Sequence, residues 1–199
     1  MTSPAIPIVQ PSLAAVAALP PGISGRDQPE LSDWFVERGE PAFRAKQVLD
    51  AVWRTGAPSP ESITTLKPAL QAALAEAFRW DTLGDTEVIV TEGGLTEKAL
   101  HRLDDGVAIE SVLMRYPATP GRRERATLCV SSQAGCAVGC PFCATGELGF
   151  GRDLQAAEIL DQVRSAARRL AADGRHLTNI VFMGMGEPLL NLDRVLEAV

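Results

Sequence analysis

Residues 125–143 read Arg125-Ala-Thr-Leu-Cys129-Val-Ser-Ser-Gln-Ala-Gly-Cys136-Ala-Val-Gly-Cys140-Pro-Phe-Cys143, an apolar run that empties into a loop of glycine and cysteine. Ala126 to Ser132 has the length and composition of a buried strand. Downstream, Ala156, Ile159, Leu160, Val163, Ala167 and Leu170 recur at helical spacing within about 153–173, Gly174 stands at a helix stop, and Asn179 to Met183 is a second apolar strand. Strand, loop, helix, strand is the βαβ unit of a parallel sheet, whose ligands gather at the carboxyl ends of the strands. Two unusual loops fall at those ends: the cysteine loop, and Gly184-Met-Gly186-Glu187-Pro188 after the second strand. Another helix begins near Asn191. Two strands cannot cover both faces of a parallel sheet, so the expectation is an α/β fold in which residues 122–199 form the front part of a larger α/β domain, truncated within its second helix.

Ahead of this unit the period of the apolar residues changes. Glu87 to Val90, Lys98 to Leu103 and Val107 to Met114 read as strands, the last two joined at Asp104-Asp105-Gly106, which makes 81–121 a β-hairpin connecting segment. Between 31 and 80 the pattern is helical. Trp34 and Phe35 lie in a first helix ended by Gly39, and Pro41 opens a second that carries Phe43, Val48, Leu49, Val52 and Trp53. Pro60 and Glu61 start a third helix, in which Ile63, Leu66, Leu70, Leu74 and Phe78 recur at three- or four-residue intervals. Residues 1–30 hold six prolines among Ala, Ser and Gly, and read as a disordered tail.

Composition narrows the function. With 19 basic and 25 acidic side chains the formal charge is −6, so the chain cannot present one positive surface to a polyanion, and any nucleic-acid contact must be local. The charge is unevenly spread: −7 over residues 1–114, +3 over 115–175 and −2 over 176–199. No run reaches the roughly 18–20 apolar residues of a membrane helix, and the apolar stretch Leu13–Leu19 lacks the basic flank of a signal peptide. A cytoplasmic protein without membrane contact is expected. The four cysteines, Cys129, Cys136, Cys140 and Cys143, are too clustered for a disulfide framework and point to metal or redox chemistry.

Cys136, Cys140 and Cys143 have the spacing C-x3-C-x2-C, and Gly139 and Pro141 keep that segment from forming a regular helix, so it should wrap around something. Three thiolates can hold three irons of a [4Fe–4S] cluster and leave the fourth open. Zinc is the competing reading; it calls for a closed set of four ligands, and the only spare thiol, Cys129, sits in the preceding strand. A third reading is a patch of small buried hydrophobes. In the second loop Gly184 and Gly186 let backbone approach a ligand, and Glu187 offers a carboxylate to an ammonium group, although a glycine turn ended by Pro188 is often merely a turn. Glu110 lies in an apolar strand. It is either on the exposed face or buried, where it could move a proton. Arg122, Arg123, Arg125, Arg164, Arg168, Arg169 and Arg175 are either a solvated face or phosphate contacts, and Arg44 and Lys46 are the better candidates for such contacts.

The three-cysteine loop with Phe142 before its last cysteine resembles the signature of the radical S-adenosylmethionine superfamily. The run from Arg125 through Phe150 and the run from Phe182 to Asn191 resemble the dual-specificity adenosine-C2 RNA methyltransferases and their antibiotic-resistance relatives that act at C8. Pro41 to Gln47 is similar to that family's N-terminal RNA-binding domain, so the resemblance covers about 31–199. It implies a helical accessory domain followed by a radical-SAM barrel. It also implies that Cys136, Cys140 and Cys143 hold a [4Fe–4S] cluster whose open iron takes S-adenosyl-L-methionine, with reductive cleavage to an adenosyl radical. Gly186, Glu187 and Pro188 would bind the methionine end of that cofactor, Glu110 would accept a proton, and Cys129 would resolve an RNA adduct by forming a disulfide with a methyl-carrying cysteine. That second cysteine has no counterpart among the four in this sequence. The implied partners are 23S ribosomal RNA, transfer RNA and an electron donor such as flavodoxin. Asp153 stands where the family pattern has Asn. The rival functions are a non-catalytic RNA-binding product and an iron–sulfur electron carrier, and a carrier would normally surround its cluster with a full set of ligands.

Overall fold

The computed structural model describes residues 19–91 and 93–199. Three helices open it: α1 (Gln28–Val36), α2 (Arg44–Trp53) and α3 (Pro68–Ala77). Their inward residues, among them Leu31, Phe35, Val48, Val52, Leu70 and Leu74, form one apolar core together with Ile23, Phe78 and Trp80. The third helix is shorter than its apolar spacing predicts. A single 3-10 turn spans Pro60–Ser62, and the α-helix starts only at Pro68, whose missing N–H and fixed φ suit a first helical position and not a helix interior.

The expected disordered tail is corrected over its last third. Residues 1–18 lie outside the described residues, but from Pro20 onward the chain is built into the fold. Ile23 is wholly buried, its N–H donates to the Arg79 carbonyl at 2.9 Å, and the Arg79 N–H donates to Pro21 at 3.0 Å. Asp27 and Glu30 form a reciprocal capping box that starts α1 three residues earlier than the apolar pattern suggests, with Pro29 in its first turn. Proline count alone reads such a segment as a tail, because the prolines hide a cap and one core side chain.

Seven strands follow: β1 (Thr86–Val90), β2 (Thr96–Arg102), β3 (Ala108–Tyr116), β4 (Arg125–Cys129), β5 (Gln133–Gly135), β6 (Phe150–Asp153) and β7 (Asn179–Val181). Five of them make one sheet in the order β1-β2-β3-β4-β7. β1 to β4 are antiparallel neighbours, whereas β4 and β7 run parallel with Leu128 opposite Ile180, as the βαβ reading requires. The strands of 81–121 thus continue the sheet of the βαβ unit, next to β4. A short helix α4 (Ala144–Leu148), the long crossover helix α5 (Ala156–Ala172) and α6 (Leu192–Glu197) complete the described elements.

Two boundaries move relative to the sequence reading, for one reason. In the run Ala126–Ser132 the strand ends at Cys129, Val130 makes the last hydrogen bond to Val181, and the chain feeds β5, while the expected helix from Asp153 is preceded by β6, which pairs antiparallel with β5. This ribbon clasps the base of the cysteine loop. Gly135 has φ +78°, and a Cβ there would lie 2.0 Å from the Gly149 carbonyl oxygen, so the clasp closes only on glycine. Among the described residues no helix is long and apolar enough to cross a membrane.

Helix α5 joins the two cores through buried charge. Arg164 donates to the Trp80 carbonyl at 2.8 Å and to Asp161 at 2.6 Å, and Asp161 accepts from the N–H and hydroxyl of Thr82. Burial pushes the Asp161 carboxyl up, and these donors oppose it. At the start of the helix, Arg152 forks onto Glu158 at 2.7 and 2.8 Å and reaches Asp105, in the β2–β3 turn, at 2.6 Å; all three side chains are almost fully buried.

His101 on β2 is fully buried between the Thr86 and Ser111 hydroxyls, each 2.9 Å from a ring nitrogen. Burial, helped by the Arg169 charge, pulls its pKa down to about 4. The unfolded chain, with an ordinary His near 6.5, therefore binds more protons between pH 4 and 6.5, and stability falls with acidification across that window by about 3 kcal/mol. Urea unfolding at pH 7 and pH 4.5 is expected to show this loss in the parent and to show it much reduced in His101→Gln.

Candidate cofactor site

The site is assembled where β4 leaves the sheet. Ser131 has both backbone groups in the interior with no strand beside them. The amide of Gln162, itself fully buried on α5, substitutes for the missing strand: its Oε1 accepts the Ser131 N–H at 2.9 Å and its Nε2 donates to the Ser131 carbonyl at 3.0 Å. The Ser131 hydroxyl then donates to the Glu110 carbonyl at 2.6 Å and accepts the Met185 N–H at 2.8 Å. One serine thus ties β3 to the glycine turn that follows β7.

Gln133 extends this seam. Its Oε1 accepts the Glu187 N–H at 2.9 Å and its Nε2 donates to Asp153 at 2.7 Å. Asp153 is therefore the end of β6 and a partner of Gln133, while Gln155 and Glu158 form the cap of α5. The Met185 carbonyl accepts from the N–H groups of Ser132 and Gln133, and the Asn191 amide donates to the Ser132 and Leu154 carbonyls. In the turn itself Gly186 has φ +96°, and a Cβ there would fall 2.4 Å from Cβ of Gln133, while one at Gly184 would fall 2.7 Å from the Val130 carbonyl oxygen. Glu187 Oε1 accepts the Leu189 N–H at 3.1 Å, which aims the carboxylate at the mouth of the 3-10 turn that Pro188 opens.

The cysteine loop runs from Cys136 to Cys143 between β5 and α4, and its three thiols are partly exposed. The Cys143 N–H donates to the Cys140 carbonyl at 3.0 Å, so these two share one turn, and Gly139 with φ +64° turns the chain before it. Cys143 is the N-cap of α4. The backbone N–H groups of Gly146 and Thr145, and the Thr145 hydroxyl, hold its thiol below the ordinary value, which favours the thiolate that binds metal. Among the described residues no three Cys, His, Asp or Glu side chains converge on one point as a single ion needs. Three thiols spread along an open loop, one of them given N–H donors, suit a multi-iron cluster better than a closed zinc site, so the donor set fits a [4Fe–4S] group.

Glu110 is not buried among apolar neighbours. It sits on the less buried face of β3, 34% exposed, with the Lys98 ammonium 2.9 Å from its Oε1. That face borders a cavity of about 290 Å³, whose wall includes Glu110, Lys98, Gly135, Ala144, Thr145 and Met185. A carboxylate, both flanks of the cysteine loop and the glycine turn therefore meet at one cavity. Cys129 lies at the carboxyl end of β4, buried, opposite Val112 and Val181; burial raises its thiol, and an N–H from Met183 pulls the other way. Ser131, Gln133, Gln162 and Lys98 were not singled out from sequence. The three polar residues directly after an apolar strand, Ser131-Ser132-Gln133, are the signal that something other than a strand must satisfy them.

The model of the Radical SAM superfamily matches residues 130–199, and that of the ribosomal RNA large subunit methyltransferase N-terminal domain matches residues 22–79. A probable dual-specificity RNA methyltransferase RlmN of Corynebacterium diphtheriae is 45% identical over 85% of this chain and 45% of its own length. One of the same name from Thermobifida fusca is 45% identical over 90% of this chain and 49% of its own. The crystal structure of a radical SAM methyltransferase from Sphaerobacter thermophilus superposes with a TM-score of 0.84 at 41% identity, covering 90% of this chain and 51% of that one. The chain thus spans about half the length of the relatives it matches.

The seam makes a measurable demand on its glycine. Gly186→Ala must both leave a positive φ and push Gln133 aside, so it should lose clearly more stability than the strain of about 1–2 kcal/mol carried by Gly39→Ala, where φ is +72° and nothing lies within 4 Å. Urea unfolding of the two variants checks the difference.

Proposed function

We propose that this chain, whose residues 130–199 match the Radical SAM superfamily and whose residues 22–79 match the ribosomal RNA large subunit methyltransferase N-terminal domain, supplies the cluster-binding and cofactor-binding residues of an enzyme that methylates C2 of adenosine in 23S ribosomal RNA and in transfer RNA. The family's cofactors are a [4Fe–4S] cluster and S-adenosyl-L-methionine. The observation that carries the reading is the single cavity at which Glu110, the flanks of the cysteine loop and Met185 meet.

In this reading Cys136, Cys140 and Cys143 hold the cluster, which when bound with S-adenosyl-L-methionine supplies one-electron cleavage of that cofactor, fed by an electron donor such as flavodoxin. Every other contribution comes from the chain. Gly184 and Gly186 let the turn pack directly on Val130 and Gln133, so that Gly186, Glu187 and Pro188 would hold the cofactor's methionine end, with the Glu187 carboxylate, oriented by the Leu189 N–H, available to accept hydrogen bonds from its ammonium. Pro188 fixes the exit of that turn. Glu110 presents a proton-accepting carboxylate at the cavity wall, with Lys98 beside it holding its direction. Cys129, kept as a thiol by burial, is reserved for the resolving disulfide, whose methyl-carrying partner is not among the four cysteines of this sequence. The helical domain over about 31–80 contributes RNA contact, and a cytoplasmic setting follows from such substrates.

Anaerobic reconstitution with iron and sulfide should give about four irons per chain. Alanine at any one of Cys136, Cys140 or Cys143 should abolish it. Under reduction with S-adenosyl-L-methionine the reconstituted chain should release 5′-deoxyadenosine, while C2-methyladenosine should be absent from added RNA. Tight zinc without sulfide would overturn the cluster assignment, and methylated RNA from this chain would overturn the need for a second cysteine.

A further inference from the structure

Most positive charge in the chain is neutralised in place. Of its 19 lysines and arginines, 14 lie within 4.0 Å of a carboxylate oxygen among the described residues, including Arg44 and Lys46, which pair with Glu40 and Asp50. The other five are Lys67, Arg102, Arg122, Arg123 and Arg125, and three of these share the hairpin between β3 and β4. Every residue from Tyr116 to Arg125 is exposed. The hairpin's single carboxylate, Glu124, is drawn off by Arg175 at 2.9 Å and does not neutralise it.

The presentation of these charges is ordered. Thr119 and Arg122 exchange backbone hydrogen bonds of 2.9 and 3.1 Å across Pro120-Gly121, with Gly121 at φ +79°, so the turn has a defined shape. The Arg125 guanidinium lies 4.5 Å above the ring of Tyr116, the chain's only tyrosine. Around them is a groove whose wall holds Tyr116, Thr119 and the three arginines and no acidic residue.

Exposed arginine forks with an aromatic face beside them match the phosphodiesters and unstacked bases of RNA. On a chain of net charge −6, a local concentration of unpaired cations is also the place to which a polyanion is steered. We propose that the β3–β4 hairpin is an RNA-backbone contact surface, a statement that rests on the RNA methyltransferase reading above. It stands at the amino end of β4, whereas Cys129 is at the carboxyl end and the cysteine loop lies beyond it. Five strand residues separate the two ends by about 13 Å at roughly 3.3 Å per step. The hairpin therefore grips RNA away from the reacting nucleotide and supplies affinity and not base choice.

The test is fluorescence polarisation of a labelled, folded RNA across a series of salt concentrations, with the parent chain and with R122Q/R123Q/R125Q. Removing three phosphate contacts should make the slope of log affinity against log salt shallower by about 2 to 3. The thermal midpoint should stay unchanged, since the three side chains are exposed. If losing Arg125 unsettles Tyr116, the pair R122Q/R123Q should still lower the slope by about 1.5. An unaltered slope in a parent that binds RNA overturns the hairpin and leaves the functional reading standing. A parent with no salt-dependent RNA affinity overturns that reading and this surface with it. Equal binding of poly-glutamate by the parent, lost to the same degree in the variant, would assign the hairpin to an acidic protein partner and overturn the RNA contact.

Discussion

The pairing of the Gln162 side chain with both backbone groups of Ser131 is the contact on which the rest of the site depends. A strand that must end inside the protein leaves an N–H and a carbonyl away from water, and each unsatisfied group costs about 1–3 kcal/mol. By substituting an amide for a neighbouring strand, α5 lets β4 stop at Cys129 without that cost and redirects the chain into the cysteine loop. The same serine spends its hydroxyl on Glu110 and Met185, so the carboxylate strand, the cysteine loop and the glycine turn are held in one frame.

Around that frame the long helix is fastened by buried charge as much as by apolar packing. Arg152 gathers Glu158 and Asp105 at the start of α5, and Asp161 with Arg164 ties its middle to Thr82 and Trp80. Buried ion pairs contribute little net stability compared with apolar replacements, but removing one partner strands the other and is costly. Their effect here is registry. Ser24, whose hydroxyl reaches the Ala157 carbonyl, and Gly22, where a Cβ would fall 2.4 Å from Cβ of Ala157, press the N-terminal segment onto the same helix. The helical core and the sheet core thereby share α5 as a common support.

Likeness to known proteins and geometry bear on different questions. Residues 130–199 match the Radical SAM superfamily and residues 22–79 match the ribosomal RNA large subunit methyltransferase N-terminal domain. Between them lie the strands that carry Glu110 and the arginine hairpin, which neither family model covers and for which the structure is the source of argument. There the acidic balance of the whole chain conceals its local chemistry, because most cations among the described residues are paired and three of the five that are not gather at one turn.

Much of this protein was determined locally and was legible in the residues themselves. The spacing of Cys136, Cys140 and Cys143, the parallel pairing of the strands around Leu128 and Ile180, and the glycine turn ending at Glu187 and Pro188 follow from short-range pattern and composition. Interruptions by single residues were harder to read. Pro68 divides an apolar series that looks like one helix, and Asp27 with Glu30 begins a helix inside a proline-rich stretch, because caps and breaks are set by one or two atoms and not by period. What tertiary structure alone decided is where polar groups are satisfied over long separations. Ser131 meets Gln162, Gln133 meets Glu187, and Arg152 meets Asp105, each across at least 31 positions. No local pattern encodes such pairs, since a buried hydrogen bond is specified by two segments arriving together, and only the packed chain brings them to the same place.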